Sequence, residues 1–319
     1  MFSLRKSLAG AGFEVAAALH VDGRTELAGA SDRPFRIASI TKSFTATALW
    51  EAGLFDERAR SLLSHTAGYR PESASPLPAE CAGLWSYSNA GYWEAASVFD
   101  DYSEAVRTHV LEPLGLTSTG FETPPDAVLG TLPDDVVADP SYPASRRPSG
   151  GLWSTVGDLV TYGLAHCRSW TELHEPVADA LGAQYACGWW VRDGVLDHEG
   201  SVGGYQSLLL IVPEPELVLA VLTNSWRGST VIRRVVDDLG LRLPAALEQE
   251  AVSGAYALDS LEAIVEDCTI TERETDPLSG TTIERRYPFS ADATLMSWRS
   301  DFPRNGVGRI GWTAMPRVA

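Results

Sequence analysis

The chain is poor in lysine. Its 319 residues hold only two, Lys6 and Lys42, and 25 basic side chains face 42 acidic ones, for a formal net charge of -17. A surface of that sign repels phosphate backbones and anionic bilayers, so neither a nucleic-acid nor a membrane partner is expected. Cysteine is scarce as well. Cys81, Cys167, Cys187 and Cys268 form no C-x-x-C pair and match no zinc spacing with the histidines. They are read as reduced structural residues, with no metal and no organic cofactor expected. No apolar run approaches the ~18 residues needed to cross a bilayer. The opening "MFSLRKSLAGAGFEVAAALHVDG" also lacks the apolar stretch and small-residue cleavage site of a leader. A cytoplasmic protein is expected. Internal repeats and low-complexity tracts are missing too. What is present is globular: 45% of residues are hydrophobic, enough for a full core in one large or two smaller domains.

The pattern of elements is mixed α and β. "FEVAAALHV" and "RTELAGAS" flank Asp22-Gly23, a favoured two-residue turn, and predict a β-hairpin. From Ile40 onward Phe44, Ala48 and Leu49 recur at helical spacing, and Gly53 closes the helix. Residues 54–150 read as short helices ("AGYWEAASVF", "SEAVRTHVLEPLG") between Pro- and Gly-rich loops. "STVGDLVTYGLAHC" predicts a helix capped by Ser154 or Thr155. "QYACGWWV", "SLLLIVPE" and "ELVLAVLTN" predict three strands, the last two nearly all apolar, as in the middle of a covered sheet. "STVIRRVVDDLG" predicts a closing helix. This order suits one sheet drawn from both ends of residues 1–245, with a helical subdomain inserted. After Leu243-Pro244 the alternating stretches "EAIVEDCTITERE" and "TTIERRYPFSADATLMSW" predict a small β-rich domain over 246–319. It is expected to be a separable appendage that covers part of a cleft or mediates self-association.

Three stretches carry chemistry. In "SITK", Ser39 precedes Lys42 by three residues, so both lie on one helix face. A serine opening a helix sits where backbone N–H groups lack partners and the helix dipole is positive. A lysine one turn in is driven toward the core, where burial disfavours its charge and makes it a base for the hydroxyl. The plain alternative is a helix cap beside a snorkelling lysine. "SLRK" (Ser3, Lys6) has the same spacing and fits that alternative better, because no apolar helix follows it. In "YSN", Tyr87 is a phenol that a nearby lysine can help to deprotonate, and Asn89 an amide that can bond a substrate carbonyl. In "HEGS", His198 can polarise the Tyr87 proton, and Gly200 allows close approach to a strand edge. The backbone N–H of Ser201 can pair with that of Ser39 as an oxyanion hole.

In that order, Ser-x-x-Lys, Tyr-x-Asn and His-x-Gly, the chain resembles the penicillin-recognising serine hydrolases, in the branch of class C β-lactamases, DD-peptidases and esterases. "LLSHTAGY" (62–69), "LEPLGLTST" (111–119) and "GGLWSTVGDLVTYG" (150–163) are similar to further segments of that branch, and the likeness covers about residues 14–240. The resemblance implies an α+β fold, with an antiparallel sheet flanked by helices beside an α-helical subdomain and the site at their junction. It implies Ser39 as acylated nucleophile, Lys42 and Tyr87 sharing proton transfers, Asn89 on the substrate, and His198 where many relatives have lysine. His65 of "SHTAG" is structural on this reading. The substrate expected is a small molecule or short peptide, cleaved at an ester or amide. A β-lactamase or penicillin-binding protein is the alternative of the same fold, and a catalytically silent binding protein the alternative of another class. Two departures stand out. The stretches after Lys42 and over 120–190 are short, which predicts an open cleft. Glu199 also stands where relatives that bind a carboxylate often have a hydroxyl, so neutral or cationic substrates are expected.

Overall fold

A computed structural model describes residues 2–241 throughout and, beyond them, 245–246, 253–266, 269–275, 280, 282–288, 292–293, 300–304, 307–310 and 313–318. Cys268, the Leu243-Pro244 junction and parts of the stretch after Pro288 lie outside the described residues.

The chain starts with a short helix, α1 (Leu4–Leu8), then the expected hairpin of β1 (Val15–Val21) and β2 (Arg24–Gly29). Asp22 and Gly23 both have positive φ, as a tight two-residue hairpin turn requires. A single 3₁₀ turn, Ala38–Ile40, leads into α2 (Thr41–Glu51), and α3 (Glu57–Leu63) and α4 (Asn89–Ala96) follow. Helix α5 (Val156–Arg168) is capped by Thr155, whose side chain accepts from the Asp158 N–H. Ser154, the other candidate cap, lies in a two-residue strand instead. The strands β3 (Ala178–Ala180), β4 (Ala183–Tyr185), β5 (Trp190–Arg192), β6 (Val195–Val202), β7 (Tyr205–Val212) and β8 (Leu217–Thr223) precede the closing helix α6 (Ser229–Asp238).

These eight strands form one antiparallel sheet in the order β2-β1-β8-β7-β6-β5-β4-β3, so the N-terminal hairpin pairs with the last strand of the domain. That is the two-ended sheet the element order predicts, in the α+β class. One face packs on α2 and α5 through Phe44, Leu159, Leu209 and Ile211, and the other on α1 and α6 through Leu4, Leu208, Ile232 and Val235. Both faces being covered explains the uninterrupted apolar runs of β7 and β8.

One expectation needs correction. "QYACGWWV" is two strands, β4 and β5, around a turn at Cys187-Gly188, because Gly188 has φ +83 and lies against the Ser43 backbone where no Cβ fits. "LDHEGSV" forms strand β6, ahead of the Gly203-Gly204 turn.

The C-terminal region is β-rich as expected. Strands β9 (Gly254–Leu258), β10 (Leu261–Glu266), β11 (Thr269–Thr275) and β12 (Thr282–Pro288) form an antiparallel meander. The last strand, β13 (Thr313–Pro316), bonds at its start into the N-terminal part, where the Ala314 N–H donates to Ser86 Oγ at 3.1 Å. Leu77, Cys81 and Leu84 share one apolar cluster with Tyr256, Leu258, Val265, Ile270 and Met315, and Arg70 pairs with Asp259 at 2.6 Å. The region is thus packed on the segment that leads to Tyr87. Among the described residues, no helix is long and apolar enough to cross a membrane, and Cys167 and Cys187 are free thiols.

Candidate active site

Ser39 does not sit on α2 itself. It lies in the 3₁₀ turn before it, and α2 starts at Thr41. The turn is held from several sides. The Ile37 N–H donates to the Leu152 carbonyl, the Leu152 N–H donates to Thr41 Oγ1, and the Ile37 carbonyl accepts from Ser207 Oγ at 2.8 Å. Ala38 has φ +48, a left-handed conformation that costs a non-glycine residue about 1 kcal/mol or more. The surrounding bonds hold it there. Gly200 explains how the turn comes so close to the sheet, since any Cβ at 200 would run into the Ile37 carbonyl oxygen and Ser207 Oγ. The approach that Gly200 permits is therefore the chain's own.

Residues 41–49 of α2 are all buried, and Lys42 is fully so. Its Nζ lies 2.7 Å from Asn89 Oδ1, 2.7 Å from the Ser149 carbonyl oxygen and 3.2 Å from Ser39 Oγ. The first two partners can only accept. A neutral amine has two N–H groups and one lone pair, so with both hydrogens committed the lone pair is left for the Ser39 hydroxyl. Burial lowers the Lys42 pKa from its ordinary value to about 7, with Glu72 acting weakly in the opposite direction. The neutral form is thus well populated near neutrality.

Tyr87 and Asn89 flank the N-cap of α4. Ser88 caps the helix, its side chain accepting from the Gly91 N–H, and its own N–H donates to His65 Nδ1 at 3.0 Å. His65 is buried and packs against Tyr87 with tilted rings, centroids 4.2 Å apart, and burial holds it uncharged. It therefore supports the motif from below, as its structural reading requires. The Tyr87 ring lies 4.8 Å from Lys42 Nζ. The expected loss of the Tyr87 proton is not what this environment favours. Burial raises its pKa far above the usual value, outweighing the opposing influence of Ser39, so Tyr87 stays a phenol and a proton donor.

His198 is buried on β6. Its Nδ1 donates to the Glu199 carbonyl at 2.6 Å, and its Nε2 accepts from the Tyr185 hydroxyl at 3.2 Å. Burial brings its pKa down to about 3, so it is neutral at ordinary pH. Its ring centroid is 6.5 Å from that of Tyr87, so it acts on the Tyr87 environment as a neutral neighbour rather than a cation. Glu199 lies on the other face of the sheet. It pairs with Leu208, which packs toward α6, whereas His198 pairs with Leu209, which packs toward α2 and α5.

The edge of β6 is open where it passes the serine. Gly203 and Gly204, both at positive φ, form a two-residue turn that makes Val202 and Tyr205 a hydrogen-bonded pair. Bonding alternates from there. The Ser201 N–H therefore points outward, on the side where β5 pairs only with Val195–Asp197. Ser201 itself is exposed, with Oγ accepting from Gln206 at 2.7 Å. Ser39, Lys42, Tyr87 and Asn89 thus meet in one cluster, with the free edge of β6 and His198 along one wall. Three contributors escaped the sequence reading. The Ser149 carbonyl carries no side-chain signal, while Glu72 and Arg146 sit in loops with no motif around them.

The beta-lactamase family model matches residues 9–239. The chain belongs to the beta-lactamase family. That is a family of serine hydrolases, and its match spans the segment that carries all three motifs. A human relative, beta-lactamase-like protein 1, is 29% identical over 174 residues, which are 47% of this chain and 35% of the relative, so the match spans about a third of that protein. Among solved structures, SurE is similar with a TM-score of 0.70 at 21% identity, over 99% of this chain and 97% of that one. A class C β-lactamase from Rhodobacter sphaeroides has a TM-score of 0.65 at 17% identity, over 75% of this chain and 98% of its own. The D-alanine carboxypeptidase AmpC from Burkholderia cenocepacia has 0.63 at 15%, over 75% and 99%. At these identities the structures speak for the fold, the β-lactamase/transpeptidase architecture.

Proposed function

We propose that this member of the family hydrolyses an ester or amide through an acyl-enzyme on Ser39, and that D-amino-acid derivatives or simple esters are its substrate class. One observation carries the reading: Lys42 Nζ has two acceptor-only partners and therefore turns its lone pair to Ser39 Oγ. In the first step Ser39 Oγ bonds to the substrate carbonyl carbon while its proton passes to Lys42. The negative charge on the carbonyl oxygen is met by the N–H groups of Ser39 and Ser201. When the tetrahedral species collapses, the carbon–oxygen or carbon–nitrogen bond breaks, and the leaving group takes a proton from the Lys42–Tyr87 pair. Water then attacks the acyl-enzyme, giving its proton to the same pair, and the acid departs as Ser39 recovers its hydrogen. Asn89 orients the substrate while holding Lys42.

The D-amino-acid part is supported by two fold relatives, SurE, known with D-Leu, and a D-alanine carboxypeptidase. β-Lactamase or penicillin-binding activity is the second reading, favoured by the class C likeness. We assign the protein to the cytoplasm, which suits the free thiols. Labelling with a fluorophosphonate and with a fluorescent penicillin, each beside a Ser39→Ala control, tests all three alternatives. Fluorophosphonate on Ser39 supports hydrolysis. Penicillin labelling as well moves the assignment toward β-lactams. No labelling by either leaves the silent binding protein.

A further inference from the structure

Glu72 belongs to none of the three motifs, yet it touches the centre of the site. It lies in the turn after "SHTAGY", half-buried, with one side-chain oxygen 2.5 Å from Asn89 Nδ2 and the other 3.5 Å from Arg146 Nη1. An ionised carboxylate can only accept, so it fixes which end of the Asn89 amide faces it. Nδ2 turns to Glu72, and Oδ1 is thereby turned to Lys42 Nζ at 2.7 Å. Glu72 is held in turn. Arg146 lies over the Trp93 ring at 5.2 Å, Trp93 Nε1 donates to Ser149 Oγ at 2.8 Å, and Ser149 Oγ donates to the Arg146 carbonyl at 3.1 Å. The Ser149 carbonyl is the second acceptor for Lys42. The contacts close into a ring that runs from Glu72 through Asn89, Lys42, Ser149, Trp93 and Arg146 back to Glu72.

We infer that Glu72 is a positioning residue, whose carboxylate locks the Asn89 amide with its oxygen toward Lys42 and so aims the lysine lone pair at Ser39. The inference rests on the proposed roles of Ser39 and Lys42. A flipped Asn89 would present an N–H to Lys42, which would have to accept from it, and the lone pair would be lost to Ser39. Other ionisable groups bear on Glu72. Arg146 and Lys42 stabilise its charge, while burial and Glu274 oppose it, and burial dominates. The Glu72 charge acts back on Lys42 by favouring its protonated form.

The rate at which a fluorophosphonate labels Ser39, followed against pH, reads this directly and needs no natural substrate. In the wild type, labelling should rise as Lys42 loses its proton, with a midpoint at about 7. In Glu72→Gln the plateau should fall by about tenfold or more, because small misplacements of a reacting group cost up to ~100-fold. The midpoint should also move to lower pH, since the charge that favoured protonated Lys42 is gone. Glu72→Asp, which keeps the charge, should retain a midpoint close to wild type even where its plateau falls. It also serves if Glu72→Gln fails to fold. An unchanged plateau and midpoint in Glu72→Gln would overturn the inference. So would a lower plateau with an unmoved midpoint, which marks a packing role alone. Equal labelling of wild type and Ser39→Ala, or none of either, would instead bring down the proposed function, and this inference with it.

Discussion

Ser3-x-x-Lys6 and Ser39-x-x-Lys42 have the same residue types at the same spacing, and the fold makes them opposites. Ser3 precedes a five-residue helix at the chain's start, and Lys6 stands exposed on it. Ser39 lies in a turn wedged between α2, β6 and the 149–152 segment, and Lys42 is fully buried with three polar partners. The difference is one of surroundings. Lys6 is open to water, whereas the protein around Lys42 supplies two acceptors and removes water. Spacing puts the two groups on one face. The lowered pKa comes from burial, and the direction of the lone pair from acceptors on residues 47 and 107 positions away.

The largest effect expected from this contrast is on turnover. Ser39→Ala should reduce hydrolysis of any accepted ester by on the order of 10⁴-fold or more, because units that act together fail together. Ser3→Ala should leave the rate unchanged. Steady-state rates on a chromogenic ester decide it, and a Ser39→Ala variant that kept most of its activity would break the contrast at its root.

Next come the two lysines. With Lys42 titrating at about 7, kcat/KM should rise with pH through that value and be lost below it as the amine gains its proton. Lys6→Ala should leave the profile where it is, while Lys42→Ala should remove both the rate and the limb. Tyr87→Phe should also slow acylation severely. Because Tyr87 and Lys42 both address Ser39, the double variant should be little worse than the poorer single one, and additive losses would mean that they act independently. His198, neutral and bonded to Tyr185, should matter less, by roughly 10²-fold.

Gly200→Ala tests what seats the Ser39 turn. The added methyl meets the Ile37 carbonyl and Ser207 Oγ, so the variant should lose about 1–3 kcal/mol of stability in denaturant titrations, as overpacked sites do. Its kcat should fall with KM little changed, because the strained Ala38–Ser39 backbone is what moves. A variant of wild-type stability and rate would show that the turn has slack, and that burial alone separates the two pairs.

Much of this was legible in the residues. The hairpin at Asp22-Gly23, the helix after Ser39, the cap at Thr155 and the two covered strands follow from local pattern, and the three short motifs come together as their order implies. The misses have physical causes. "QYACGWWV" has no polar side chain between Tyr185 and Val191 to interrupt the apolar run, so little in its pattern marks the turn that Gly188 makes against α2. Tyr87 beside a lysine reads as an activated phenol, yet its burial, decided by Trp85, His65 and Tyr185 around it, works the other way. The seat of the C-terminal strands was not legible either: inner residues such as Val265 and Met315 share a cluster with Leu77 and Cys81, which read as loop residues when met in sequence. Backbone acceptors such as the Ser149 carbonyl leave no trace in a sequence at all.

The smallest expected effect belongs to Glu199. The sequence reading set it beside the substrate, where like charges about 4 Å apart at an effective dielectric near 20 repel by roughly 4 kcal/mol. The register instead puts its side chain on the α6 face, with Leu208, across the strand from His198. Its charge still reaches the site, as the least of the influences that keep Tyr87 protonated. At the greater separation, and with partial exposure to water, only a fraction of that repulsion survives. Glu199→Thr should therefore raise turnover of an anionic cephalosporin by about twofold, far less than a charge in direct contact would give, and leave a neutral ester unchanged. A gain of about tenfold or more, worth roughly 1.4 kcal/mol, would place the carboxylate within the cleft and make it the chief barrier to β-lactams. Equal rates on both substrates would show that the site responds only to what the α2 face presents to it, which is the same rule that separates Lys42 from Lys6.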